Sequence, residues 1–177
     1  MKPTDFISSE GRKHYVIGID PDVDKNGVAI VERETRRISL HSLTFCDTTD
    51  TLNEVAQVCD ALHHSLLVII EAGWLNQSNW HLRRFDSRAL VVAKGVAQGR
   101  NEQVSRLLGE FCQHRHIGYR FQKPHRKCWQ GTDRKITHRE LASFCDIKKR
   151  TNQEERDAAL LAWLGAGLPI RIPPKHT

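Results

Sequence analysis

The sequence predicts an α/β fold: a five-stranded mixed sheet, three antiparallel strands followed by two parallel crossovers, flanked by helices. Three observations carry that expectation. Three short β-rich segments follow one another within the first 45 residues, joined by tight links. Segments of helical periodicity then separate two further apolar runs. Two capping patterns, Thr137-x-x-Glu140 and Asn152-x-x-Glu155, open a short and a long helix near the end.

In order, the apolar run Tyr15-Val16-Ile17-Gly18-Ile19 reads as a buried strand that ends abruptly in Asp20-Pro21-Asp22-Val23-Asp24. An Asp/Lys/Asn/Gly turn leads into "GVAIVE" (27–32), a second strand. "RRISLHSLTF" (36–45) alternates Ile38, Leu40 and Ser42 against polar neighbours and reads as a third, completing an antiparallel meander. Residues 50–64 carry Leu52, Val55, Val58, Cys59 and Leu62 at helical spacing, with Asp50 or Thr51 as the expected N-cap. Residues 66–70 are uniformly apolar, as in a strand covered on both faces, and stop at Glu71.

The polar, aromatic loop "GWLNQSNWH" follows, then a long helical stretch over about 83–116. Leu90, Val91, Val96, Val104, Leu107, Leu108 and Phe111 set its period, while Gly95, Gly99 and Gly109 permit close packing or a break. "IGYRFQ" (117–122) is a fifth strand and "KPHRKCWQGTDRK" a basic loop. The last helix closes at Gly165 or Gly167, and Pro169, Pro173 and Pro174 mark a non-helical tail. Residues 1–13 are an N-terminal arm, 14–168 one domain, and 169–177 a C-terminal tail. Both crossovers are expected to be right-handed.

A hydrophobic share of 39% with 27% charged residues describes a globular protein rather than a disordered one. The longest strictly apolar run is far too short to span a bilayer, and the start of the chain lacks an apolar signal core, so no membrane is expected. Five cysteines, widely spaced and without C-x-x-C, imply reduced thiols and a cytoplasmic setting, and speak against a zinc knuckle or disulfide framework. The net charge of +6 matters through its distribution: "RRFDSR", "QKPHRK", "DRKITHR" and "IKKR" gather cation in the later part of the chain, which suits a polyanionic partner. For any one of these clusters, a solvated helical face serves equally well.

The chemistry lies in the acids. Asp20 and Glu71 each end an apolar strand, and the element order lets those two strands lie parallel, side by side. Glu154 and Asp157 are three apart, on one face of the last helix and within its first turn. Separately these are a turn residue, a strand-end charge and ordinary first-turn acids. Gathered together they repel, and divalent cations relieve the repulsion. Hard oxygen ligands without His or Cys spacing point to magnesium, with manganese able to substitute. Two such ions, about 3.5–4 Å apart, activate water and stabilise the leaving oxygen in phosphodiester cleavage. In a basic protein that means a nuclease.

"GIDPD…NGVAIVE", the strand-end "VIIEAG", "GTDRK" and "EERDAALLAW" together resemble the RuvC family of Holliday-junction resolvases, within the RNase H-like superfamily, over about residues 14–165. The resemblance implies an RNase H-like fold for residues 14–168, with two Mg²⁺ ions per active site on Asp20, Glu71, Glu154 and Asp157. It also implies a homodimer that resolves a four-way DNA junction by paired symmetric nicks. It matches Trp74 to the family's aromatic wedge, and Lys135, with Lys127, to its basic residues before the final helices. Two positions depart from the pattern. Asp22 stands where the family usually has Gly, either crowding the metal site or adding a ligand, and Glu154 stands where Asp is commoner. The loops 73–85 and 122–135 do not match closely.

Lesser candidates have two readings each. Trp74 and Trp80 either stack on an unpaired base or pin their loop to the core. Trp129 reads as a packing anchor and Trp163 as core. Arg83, Arg84 and Arg88 extend a DNA track or form a wet helix face; Lys127, Arg134, Lys135 and Arg139 contact phosphates or are surface charge. His125 and His138 assist proton transfer or are solvated, and His63, His64, His114 and His116 sit near helix ends. The cysteines read as small apolar fillers. The expected activity is metal-dependent cleavage of branched DNA. Its rivals are a related nuclease for other branched or hybrid nucleic acids and a non-cleaving DNA-binding module on the same fold. An actin-like ATPase is excluded for want of a Gly-rich phosphate loop and sufficient length.

Overall fold

A computed structural model describes residues 14–76, 87–125 and 128–170. The N-terminal arm, Trp80, Arg83, Arg84, Lys127 and the prolines at 173 and 174 lie outside the described residues. Five strands, β1 (Tyr15–Asp20), β2 (Asn26–Glu32), β3 (Arg37–Leu43), β4 (Leu66–Glu71) and β5 (Tyr119–Gln122), form one sheet in the order β3-β2-β1-β4-β5. The first three pair antiparallel; β1 with β4 and β4 with β5 pair parallel. This is the five-stranded mixed sheet, three strands antiparallel and two parallel, that the sequence leads one to expect.

Four α-helices cover it: α1 (Phe45–Ala61), α2 (Arg88–His114), α3 (His138–Ala142) and α4 (Gln153–Gly165). The period-2 alternation of the central strands divides the interior into two cores. Val16 of β1 and Ile69 of β4 pack with α3 and α4, including Leu141, Ala158 and Leu161. Ile17 and Ile19, with Val68 and Ile70, pack on the other face with Leu52 of α1 and with Leu108 and Cys112 of α2. The same alternation puts Asp20, two and four residues beyond Gly18 and Val16, on the α4 side. Glu71, two beyond Ile69, falls on that side too.

Three boundaries differ from the sequence reading. Helix α1 begins at Phe45 rather than near residue 50, because Thr44 is its N-cap: the Thr44 hydroxyl accepts from the Asp47 backbone N–H at 3.2 Å and donates to the Asp47 carboxylate at 2.6 Å. The third strand accordingly stops at Leu43. Helix α2 begins at Arg88, where Ser87 caps it by accepting from the Leu90 N–H. It runs unbroken through Gly95, Gly99 and Gly109, and Gly109 is the packing position: a Cβ there would meet Phe121 at 2.4 Å. Both expected capping boxes are present. Trp129 stacks on Phe144 at 6.3 Å, as an anchor should, and Trp163 is 3% exposed, its indole N–H donating to the Pro169 carbonyl.

The filler role fits three of the five cysteines. Cys59, Cys112 and Cys145 are buried, whereas Cys46 and Cys128 are exposed on hydrophilic segments. Burial pushes the Cys112 and Cys145 thiols up to about 12 and raises Cys59 as well. Because the thiolate is the reacting form, a disulfide reagent at pH 8 should titrate two thiols in the native protein and five after unfolding. A third fast thiol in the native state would contradict the packing. Among the described residues, no helix is long and apolar enough to cross a membrane.

Candidate active site

The parallel register of β1 with β4 pairs Ile19 with Ile70, so Asp20 and Glu71 leave the sheet side by side at its C-terminal edge. Two glycines bring α4 down onto them. A Cβ on Gly18 would lie 2.3 Å from the Ala158 carbonyl oxygen and 2.6 Å from the Ala162 nitrogen. One on Gly27, which pairs with Asp20 across β1 and β2, would lie 2.1 Å from the Glu154 carbonyl oxygen. Only glycine at both positions allows the helix backbone so close to the strands, and that closeness delivers Glu154 and Asp157 to Asp20.

The start of α4 is fixed by its capping box. Asn152 accepts from the Glu155 N–H at 2.8 Å, and Glu155 accepts from the Asn152 N–H at 3.1 Å. Glu155 is 6% exposed and also takes a 2.8 Å ion pair from Lys149, whose ammonium donates a second bond to the Leu40 carbonyl. Glu155 is therefore the structural acid of the turn, with its neighbours Glu154 and Asp157 half-buried beside the sheet edge.

The charges act on one another. Burial, then Glu71, Asp157 and Glu154, hold the Asp20 carboxyl well above the usual carboxylate range, and Lys135 alone pulls it down. The four predicted acids thus share one electrostatic neighbourhood. Asp157 is held at both oxygens: one accepts from Lys135 Nζ at 2.8 Å and the other from Gln153 Nε2 at 2.9 Å. Burial works to lower Lys135, but the bond and charge of Asp157, with Asp20 and Glu71, outweigh it and raise its affinity for the proton. Lys135 is the cation of the cluster. His125 lies within electrostatic reach of Asp157, yet burial, with Arg120, holds its imidazole below its ordinary value, and its Nε2 is bonded to Gln122 Nε2 at 3.0 Å. Among the described residues, no three or more Asp, Glu, His or Cys side chains are grouped closely enough to hold a metal ion. The donor set itself, four carboxylates short of positive charge, is the hard-oxygen kind that suits Mg²⁺ or Mn²⁺.

Other predicted residues land elsewhere. Asp22 is held in the turn after β1, where its oxygens accept from the Asp24 N–H at 2.9 Å and from Asn101 Nδ2 at 3.2 Å. Trp74 lies in a single 3₁₀ turn, Gly73–Leu75, with its ring edge on Phe121 at 5.1 Å and the Arg106 guanidinium 4.2 Å from its centroid. Of its two readings, the pinned loop is the observed geometry. Arg88, Arg134 and Arg139 are exposed and outside the cluster. His138 bonds Thr151 at 3.1 Å. His64 stacks on His14 at 4.6 Å, so its place is set by that ring and not simply by a helix end.

Several supporting residues carry no motif. Asn26 is fully buried; it accepts from the Asp22 N–H and donates to Thr48, which locks the turn after β1. Ser105 donates to the Glu71 carbonyl at 3.1 Å, tying α2 to the end of β4. Gln153 had one legible signal, its i,i+4 spacing to Asp157.

No family model and no curated protein matches the chain. Solved structures similar to it include RuvC of T. thermophilus in complex with a Holliday junction substrate, at 13% identity and a TM-score of 0.41, over 84% of this chain and 89% of that one. They also include the yeast mitochondrial Holliday junction resolvase, at 8% identity and a TM-score of 0.28, over 93% and 83%. Both likenesses are remote, so the functional reading rests on this chain's own residues.

Proposed function

We propose that the protein is a metal-dependent endonuclease that cuts phosphodiester bonds in branched DNA, resolving four-way junctions by paired symmetric nicks as a homodimer. The observation that carries this reading is geometric: adjacent parallel strands end in Asp20 and Glu71, and Gly18 and Gly27 let the helix that bears Glu154 and Asp157 lie directly against those strands. In a chain of net charge +6 whose motifs resemble the RuvC family, such a gathering of acids suits two Mg²⁺ or Mn²⁺ ions on Asp20, Glu71, Glu154 and Asp157. Bound there, the ions supply charge neutralisation, activation of water and stabilisation of the leaving oxygen.

The chain's own residues orient the reaction. Asp20 and Glu71 are fixed by adjacent strands, whose pairing leaves them little freedom. Gln153 and Lys135 clamp the two oxygens of Asp157 and so fix its plane. The Lys135 side chain is 37% exposed, so its ammonium would meet a phosphate oxygen beside Asp157 and stabilise charge there.

A synthetic four-way junction and a matched linear duplex, each with Mg²⁺ or EDTA, test this. Symmetric nicks on the junction alone, only with Mg²⁺ or Mn²⁺, are expected. Equal cutting of both substrates rejects junction resolution in favour of a broader nuclease. Tight junction binding without cutting leaves a DNA-binding module.

A further inference from the structure

Two clefts of opposite charge flank the start of α4. One, of about 450 Å³, is lined by Asp22, Asp24 and Glu154 with a single lysine. The other, of about 490 Å³, lies between the loop around Thr132 and the link from α3 to α4. Arg150, Arg156 and His138 line it together with Thr132, Thr137 and Gln153, and it contains no acid.

The two arginines of this second cleft differ in role. Arg156 is a brace. Its Nε donates to the Ile136 carbonyl at 2.9 Å, Nη1 to the Thr151 carbonyl at 2.6 Å, and Nη2 to Gln153 Oε1 at 2.8 Å. All those partners are neutral, and among the described residues no carboxylate lies within ion-pair distance of Arg156. Its charge is therefore built into the cleft wall without compensation. A half-buried guanidinium held only by carbonyls leaves a local positive field, which favours an anion nearby. Arg150 is the opposite: exposed, and with no bond or ion pair among the described residues. Thr132 likewise makes no side-chain bond there, and His138 uses Nδ1 on Thr151, which leaves Nε2 for the cleft.

The cleft is also wired to the catalytic cluster. Gln153 accepts from Arg156 on the cleft side and donates to Asp157 on the other, and Asp157 holds Lys135. We infer that this cleft is a subsite for a DNA backbone phosphate next to the one being cut, with Arg150, Thr132 and His138 as its contacts. Arg156 and Gln153 are positioning residues that couple its occupancy to the orientation of Asp157. The inference rests on the nuclease reading for the identity of the strand, and on the cleft's own chemistry for the anion. Phosphate contacts of this kind set register without reading sequence.

Two measurements test it. Inorganic phosphate titrated into the metal-free protein should give saturable amide shifts at Gly131, Thr132 and Thr151, strongly weakened in Arg150→Ala. With the junction substrate, Arg150→Ala should raise KM about ten-fold with a smaller change in kcat, and lower the slope of log affinity against log salt by about one. Thr132→Val should give a weaker version of the same pattern. Absence of phosphate shifts overturns the subsite. So does an unchanged KM and salt slope in Arg150→Ala while Asp20→Asn abolishes cleavage, and in that case the nuclease reading stands. If the wild type neither binds nor cuts branched DNA, the nuclease reading falls, and shifts confined to the cleft still support the anion site.

Discussion

Asp20→Asn should reduce junction cleavage by on the order of 10³-fold or more, and at the same time make the metal-free protein more stable. The two effects share one cause. The folded state holds the Asp20 carboxyl above its unfolded value, through burial and the charges of Glu71, Asp157 and Glu154. An acid whose folded pKa is raised penalises the fold when it ionises. That penalty is absent below the unfolded value near 3.9, grows as pH rises through the folded one, and is fully present at alkaline pH. Asparagine keeps the shape and removes the charge. In EDTA at pH 8, Asp20→Asn is expected to melt above the wild type. The gap should close towards pH 4. In the wild type, Mg²⁺ should raise the melting temperature at pH 8 and do little in Asp20→Asn. Thermal melts over pH, with and without metal, measure all of this. A variant less stable than the wild type in EDTA at pH 8 would mean that Asp20 is held by an attractive partner and that the acids do not repel.

Gly27→Ala should be the most damaging change that touches no catalytic side chain. The added methyl would lie 2.1 Å from the Glu154 carbonyl oxygen and 2.3 Å from its carbon. Those are backbone atoms within a capped first turn, so they cannot swing aside as a side-chain end would. Overpacking of this kind costs typically about 1–3 kcal/mol. The first turn of α4 must lift off β2, taking Glu154 and Asp157 with it, and a shift near 1 Å in catalytic groups can cost about 10²-fold in rate. Gly165→Ala, at the other end of the same helix, separates helix packing from site geometry. Its methyl would meet the Ile69 Cδ1 atom, the flexible end of a side chain. It should lower stability modestly and leave kcat near wild type. Equal kcat loss in both variants would show that α4 tolerates no disturbance anywhere, and that Gly27 has no special link to the acids.

Much of this site was legible in one dimension. Strands announce themselves by short apolar runs, and Asp20 and Glu71 stood out because a charge ending such a run needs a reason. The capping boxes placed the start of α4, and three-residue spacing put Glu154 and Asp157 on one face. The start of α1 was misread because Thr44 and Asp47 cap it ahead of its apolar stripe, where Phe45 and Cys46 are exposed and leave no periodic signal. Asp22 stood out by its position alone, and only the fold shows its bonds to Asn26 and Asn101, 4 and 79 residues away.

By itself the sequence determined the order of elements and the mixed sheet, and it singled out four acids at strand ends and on the last helix, because periodicity, caps and strand ends are local properties of the chain. Only the tertiary structure decided that Lys135 and Gln153 clamp Asp157, that Trp74 is pinned under Arg106, and that two arginines line a cleft free of acids. Those facts depend on how closely α4 approaches the sheet at Gly18 and Gly27, and on which distant side chains then meet. No spacing along the chain encodes a contact made across the fold.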